Sequence, residues 1–171
     1  MKEFNDVYDE NRCPTGRVHQ RGTPWEPGEY GLVVCVWVYD GEGRFLLTRR
    51  APEKSFAGTW ENSGGAARAG ETSRQAMARE LFEETGIRAE ESEFEQIGQG
   101  KDKEAFYDFY CLCRPVELAD IRLLPGETDD VMWADYDMVH EMIRRGEICQ
   151  IIGSQFLQDE KTLLMRNMPK L

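Results

Sequence analysis

The chain has 171 residues, 40% of them hydrophobic and 31% charged, with a formal net charge of −11. That length suits a single domain, residues 1–171, whose core hides roughly 70% of the unfolded surface. The acidity disfavours nucleic acid, whose phosphates recruit basic surfaces, and no apolar run approaches the roughly 20 residues of a membrane span.

The opening MKEFNDVYDENR is polar and carries no secretory signal, so a cytoplasmic location is expected. Cysteines at 13, 35, 111, 113 and 149 make an odd count without a C-x-x-C pair, and no histidine stands at zinc spacing. Neither disulfides nor zinc are expected. Cys35 and Cys111 fall inside apolar runs and read as small core hydrophobes.

In chain order, LVVCVWV at 32–38 is short, apolar and rich in β-branched residues, as a central strand covered on both faces should be. DGEG at 40–43 signals a hairpin into RFLLTRR. The Gly-rich connection PEKSFAGTWENSGGAARAG follows, and loops of that length are often functional. A helix is predicted over 72–85. Thr72 and Gln75 form a capping box, and Gly86 before Ile87 fits a left-handed stop. AFYDFYCLC at 105–113 is a second central strand, and amphipathic helices are expected at 137–145, closed by Gly146, and at 154–166. Strands mixed with a few helices, without a strict βαβ rhythm, predict an α+β fold with a mixed sheet sandwiched between helices.

The helix at 72–85 breaks two local rules. A helical wheel puts Met77, Ala78, Leu81 and Thr85 toward the core, and Glu80, Glu83, Glu84 and Ala76 on a neighbouring face. Like charges three and four residues apart repel, and Glu83 and Glu84 also sit at the negative end of the helix dipole. A solvated acidic face is the plain reading of such a run. Three glutamates beside a glycine-rich loop also suit a hard cation such as Mg²⁺ or Mn²⁺, which prefers carboxylate oxygen and shares its coordination with phosphates. Such a cation would supply the positive charge that a −11 chain lacks toward a phosphate substrate.

Residues 65–87, GAARAGETSRQAMARELFEETGI, resemble the Nudix box G-x5-E-x7-R-E-U-x-E-E-x-G-U, where U is aliphatic. Gly65, Glu71, Arg79, Glu80, Leu81, Glu83, Glu84, Gly86 and Ile87 meet every fixed position. Chance gives such a match roughly 10⁻⁸ of the time per starting position at average composition.

The resemblance implies a Nudix-like α/β/α sandwich and hydrolysis of a diphosphate joined to another group X. It implies Mg²⁺ or Mn²⁺ on Glu80, Glu83, Glu84 and the carbonyl of Gly64, with Arg79 and Glu71 bracing helix and loop and sharing in catalysis. Loop glycines also let backbone approach a metal and phosphates closely. In LPGETDDVMWADY, Glu127 is the expected general base or extra metal ligand, with Asp129 and Asp130 as rivals.

Beyond the box, residues 6–65 are similar to the branch containing isopentenyl diphosphate isomerase. In that branch, residues matching Arg50 and Lys54 hold a diphosphate. The isomerase signature N-S-x-C-G-H-P is absent: Trp60-Glu61-Asn62-Ser63-Gly64-Gly65-Ala66 is shorter and carries neither cysteine nor histidine. His19 and His140 lie away from the isomerase ligand positions and read as exposed or capping residues. Hydrolysis therefore outranks isomerisation, and a silent diphosphate-binding module is the third reading, disfavoured because no box glutamate is lost.

The expected partner is a small diphosphate. A nucleoside derivative is the broad expectation and a prenyl diphosphate the competitor. Trp25, Trp37, Phe56, Trp60 and Tyr107 are candidates to stack on a base or cover an apolar tail, although most aromatics in such runs are core. A homodimer would be unsurprising, self-association being common.

Overall fold

The computed structural model describes residues 2–167. Its centre is β3 (Gly31–Tyr39), which lies parallel to β8 (Ala105–Cys113) along its whole length and is the first of the two strands expected from the apolar runs. Alternate β3 residues go to opposite faces, as the two-residue period of a strand requires. Val34, Val36 and Val38 enter one core, Cys35 and Trp37 the other.

Beyond the hairpin at Tyr39 and Phe45, β3 and β4 (Arg44–Arg50) diverge. The gap is filled from the connecting segment. β5 (Trp60–Glu61) pairs with β4 at Thr48 and Arg49, while β6 (Ser63–Ala66) pairs with β3 from Val33 to Val36. The connection expected as a loop is thus partly sheet, and it sets Glu61, Gly64 and Gly65 between two central strands.

The outer strands are β7 (Glu95–Lys101), antiparallel to β8, and β9 (Thr128–Asp135), antiparallel to β4. An N-terminal hairpin of β1 (Phe4–Tyr8) and β2 (Pro14–Gln20) forms a separate two-stranded sheet. It is tied to the glycine-rich segment: Asn5 donates to the Ala67 carbonyl (2.7 Å), and the Asp6 carboxylate accepts from Gly70 N (2.8 Å).

Helix α1 (Ser73–Thr85) covers one face of the sheet through Met77 and Leu81, and α2 (Tyr136–Arg145) and α3 (Gln150–Asn167) cover the other through Val139, Met142 and Phe156. The result is the expected α/β/α sandwich. On the second face, Trp37, Phe45 and Phe156 meet with centroids 4.9–5.7 Å apart, and Trp37 Nε1 donates to Gln155 Oε1 (2.5 Å). None of the described helices is long and apolar enough to cross a membrane.

Several expectations need correcting. Ala76, placed with the glutamates on the wheel, is fully buried in the core beside Met77. Helix α3 begins at Gln150, four residues before the expected start, because the chain enters it directly after Ile148 and Cys149 pair with Trp60. His19 is neither exposed nor a cap. It is buried and stacked on Trp25, centroids 3.7 Å apart. Trp37 is core, whereas Phe56 is 65% exposed.

Candidate active site

Helix α1 has its register fixed at both ends. Thr72 Oγ1 accepts from Gln75 N (3.2 Å) and Gln75 Oε1 accepts from Thr72 N (3.0 Å), the expected capping box. At the other end Gly86 adopts φ 76°, and its N–H reaches the Phe82 carbonyl. A residue with a Cβ is strained there, so glycine is required. Between these stops the 3.6-residue repeat turns Glu80, Glu83 and Glu84 toward Gly64 and Gly65.

Arg79 gathers the acidic groups. Its Nε and Nη2 donate to the two oxygens of Glu71 (2.7 and 2.8 Å), Nη1 donates to Glu80 (2.7 Å) and Glu83 (3.2 Å), and Nη2 also reaches the Ala66 carbonyl (3.1 Å). The forked pairing is one that only a planar guanidinium makes. Glu71 in turn accepts from Arg68 N (2.8 Å), so a single ion-pair network fastens helix to loop. Burial works against the Arg79 charge, but the carboxylates of Glu71 and Glu80 outweigh it and hold the guanidinium protonated.

The two glycines have separate steric reasons. A Cβ on Gly65 would lie 2.5 Å from Glu80 Oε1, and one on Gly64 would collide with the Val34 carbonyl and come within 3.0 Å of Cys35 Cα. Gly65 makes room for a carboxylate; Gly64 makes room for a strand.

Glu84 is the most deeply placed of the cavity's acids, 8% exposed, and accepts from Gly64 N (3.2 Å). Burial pushes its pKa well above the ordinary carboxylate range, and the neighbouring charges of Glu61 and Glu80 push the same way against the Gly64 N–H. Burial also raises Glu80 against the pull of Arg79, and raises Glu61 against that of Arg50. Burial disfavours the joint ionisation of Glu84, Glu80 and Glu61, which a hard divalent cation beside Glu80 and Glu84 would relieve; among the described residues no three acids are gathered as an ion-holding cluster.

Glu80, Glu83 and Glu84, with Gly64 and Gly65, border a cavity of about 300 Å³ shared with Glu3, Arg21, Arg50, Lys54, Arg68, Leu124 and Glu127. Arg50 Nη1 donates to both oxygens of Glu61 (2.7 Å each) and Nε to the Ser55 carbonyl (2.6 Å). Lys54 pairs with Glu127, whose backbone carbonyl accepts from Ala51 N (2.9 Å) and so pins its loop to the end of β4. Every site residue expected from the sequence is therefore in this cavity or in the Arg79–Glu71 clamp behind it. The rivals of Glu127 are not: Asp129 and Asp130 turn to Arg49 (2.8 and 3.5 Å).

Sequence reasoning missed Glu61, Arg68, Arg21 and Glu3. Glu61 is eleven residues from Arg50, and only the splaying of β3 from β4 brings it under α1. Its closeness to Gly64 and Gly65 was the one available signal. Arg68 falls in a variable stretch of the box, yet it bridges Glu83 (3.3 Å) and Glu3 (3.2 Å). Arg21 joins through Glu3 (2.6 Å) from the N-terminal hairpin, for which the chain carries no motif.

The NUDIX domain profile matches residues 29–149. An uncharacterised Nudix hydrolase of Listeria monocytogenes is 32% identical over 149 residues, covering 86% of this chain and 88% of the relative. An isopentenyl-diphosphate Delta-isomerase of Pectobacterium atrosepticum is 37% identical over a shorter stretch, 48% of this chain and 46% of that enzyme. Among solved structures, a Deinococcus radiodurans protein superposes with a TM-score of 0.71 at 21% identity, over 86% of this chain and 92% of that one. The chain belongs to the Nudix hydrolase family, whose members hydrolyse phosphorus-containing anhydrides and generally use divalent metals.

Proposed function

We propose that this chain hydrolyses the diphosphate linkage of a small diphosphate-X substrate with the help of Mg²⁺ or Mn²⁺. The observation that carries the reading is the convergence of Glu80, Glu83 and Glu84 with Arg50, Lys54 and Glu127 on one cavity, behind which Arg79 and Glu71 lock the helix. Glu80, Glu83 and Glu84, with the Gly64 carbonyl, would hold the metal. When bound, it would supply a water of lowered pKa and positive charge against the phosphoryl oxygens.

The protein's own groups divide the remaining work. Arg50 and Lys54 hold the diphosphate as a fork and a point charge. Both are already paired, with Glu61 and Glu127. A bound diphosphate therefore draws Lys54 away from Glu127, and the freed carboxylate takes the proton of the attacking water. Arg79 and Glu71 act by position: their paired hydrogen bonds keep Glu80 and Glu83 in place.

Isomerase chemistry through a thiol is not supported. Gly64 follows Ser63, and the nearby Cys35 is buried with its thiol pushed far above the range in which a thiolate forms.

Phosphate or pyrophosphate release should be assayed across a diphosphate library with and without Mg²⁺. Metal-dependent turnover that Glu83→Gln cuts by about 100-fold or more is expected. Wild-type protein that binds metal but turns over no diphosphate, or that converts isopentenyl to dimethylallyl diphosphate, would defeat the reading.

A further inference from the structure

Four cations stand in the wall of the acidic cavity, Arg21, Arg50, Lys54 and Arg68, and each is paired with a carboxylate. Arg21 pairs with Glu3, Arg50 with Glu61 and Lys54 with Glu127. Arg68 differs from the other three. Its partner is Glu83, one of the three glutamates assigned to the metal, so among these four it alone occupies oxygens that the ion would claim.

The Arg68–Glu83 pairing is parallel but long. Nη1 donates to Oε1 and Nη2 to Oε2, both at 3.3 Å, and Arg79 Nη1 adds a bond of 3.2 Å to Oε2. Charge-assisted pairs ordinarily close to about 2.7–2.9 Å, as Arg79 does on Glu71 (2.7 and 2.8 Å). Glu83 is therefore held loosely, and a smaller, doubly charged ion can take it from Arg68.

The backbone of Arg68 is fixed while its side chain is free to swing. Arg68 N donates to Glu71 Oε2 (2.8 Å), whereas the side chain is 41% exposed. Its Nη2 is shared with Glu3 (3.2 Å), whose other oxygen accepts from Arg21 (2.6 Å). Bracing the N-terminal hairpin does not account for this contact. Asn5 to Ala67, Ala69 to Phe4 and Gly70 to Asp6 already tie hairpin to loop at 2.7–2.8 Å.

We infer that Arg68 is a third phosphate-binding residue, held on Glu83 until a cation takes that carboxylate and turned to the substrate's phosphates thereafter. Glu3 is its positioning residue, keeping the guanidinium in the cavity through the exchange. With Glu83 engaged elsewhere, two arginines face the single carboxylate of Glu3. The surplus charge suits a phosphate, whose oxygens match the guanidinium fork. Metal and diphosphate are thereby coupled through one side chain, because the anion contact is complete only once the cation is in place. The inference rests on the hydrolase reading for the cation at Glu83.

Two titrations of the full chain test this: Mn²⁺ by electron paramagnetic resonance, and methylenediphosphonate, a diphosphate that cannot be hydrolysed, by calorimetry with Mn²⁺ saturating or absent. Arg68 and Glu3 are both partly exposed, so substituting them does not endanger the fold. Arg68→Gln removes the competitor at Glu83, and Mn²⁺ should bind about threefold tighter. Methylenediphosphonate should bind that variant about tenfold more weakly with Mn²⁺ present, yet within about twofold of wild type without it, where Arg68 is still engaged by Glu83. Glu3→Gln leaves Arg68 to Glu83 alone and should weaken Mn²⁺ about twofold, an effect absent in the Arg68→Gln background.

Mn²⁺ bound no tighter by Arg68→Gln than by wild type would overturn the inference. So would an equal loss of methylenediphosphonate with and without metal, or a Glu3→Gln effect of the same size in both backgrounds, since either marks bulk charge rather than an exchange of partners. The two readings fail separately. The expected binding pattern without turnover of any diphosphate keeps this inference and removes the hydrolase reading, whereas Mn²⁺-dependent turnover with a metal affinity unmoved by Arg68→Gln does the reverse.

Discussion

The two halves of the cavity are built in different ways. The acidic half comes from one continuous segment, Gly65 to Ile87, in which a capped helix sets the carboxylates in register and Arg79 holds Glu71, Glu80 and Glu83. The opposite half is collected from distant places: Arg50 at the end of β4, Lys54 on the following loop, Arg50's partner Glu61 at the end of β5, and Glu127 just before β9. Chemistry that depends on fixed spacing along one helix is written locally. Recognition that depends on how strands splay is not.

The sharpest break between the halves is predicted at the neighbouring glycines. Gly65→Ala meets only the flexible end of Glu80, so the fold should persist while Mn²⁺ affinity, read by titration, falls about 10–100-fold. Gly64→Ala meets the backbone of Val34 and Cys35, which cannot move aside. Urea unfolding should show it destabilised by about 3 kcal/mol. Equal effects of the two substitutions on stability would show that the glycines serve one purpose, against this account.

Arg79→Lys probes the clamp. A lysine keeps the charge but cannot donate in parallel to Glu71 while reaching Glu80 and the Ala66 carbonyl. A drop in kcat of about tenfold or more is expected, with KM little changed, because the lost interaction positions metal-side groups rather than substrate. A rise in KM alone would place Arg79 on the substrate side.

The smallest effect is expected far from the cavity, at the β3–β4 hairpin. Asp40 accepts from the N–H groups of Glu42 (2.7 Å) and Arg44 (3.1 Å) and pairs with the Arg44 guanidinium (2.5 Å). Burial would raise its pKa, but these donors outweigh burial and lower it. A carboxylate with a depressed folded pKa contributes stability that is complete above the unfolded value and is lost as pH falls through the folded one. Asp40→Asn should therefore cost about 1 kcal/mol at neutral pH, and the gap should close below about pH 4, with turnover unaffected. A gap that widens in acid would reverse the sign of this argument.

Much of the fold was legible where apolar runs are nearly continuous or caps are explicit. The runs at 32–38 and 105–113 became β3 and β8, and Thr72, Gln75 and Gly86 marked the ends of α1, whose helical residues begin at Ser73, one after the expected start. The edges were not. β7 reads EQIGQGK, with two glycines and a register shift between Gln96 and Gly98, and its identity as a strand comes from pairing with β8. Its two glutamines donate to buried Asp108 (2.8 and 3.0 Å), a contact that only the fold supplies. The N-terminal hairpin is mostly exposed along β2 and lacks an apolar face that periodicity could detect. Within the cavity, Glu80, Glu83 and Glu84 were legible from spacing, and Glu127 from its resemblance to a family loop. Glu61, which pairs with Arg50 at the cavity wall, was not, since its place follows from the gap between β3 and β4.

The central claim is that the crowded glutamate face of α1 is completed by a divalent cation. Thermal unfolding with and without Mn²⁺ tests it most directly. A cation at 100 times its Kd stabilises the folded chain by about 2.7 kcal/mol, or about 5–10 °C in Tm for a protein of this size. The account predicts a rise of that order for wild type and its loss in Glu83→Gln; identical melts of the wild type with and without saturating metal would contradict it.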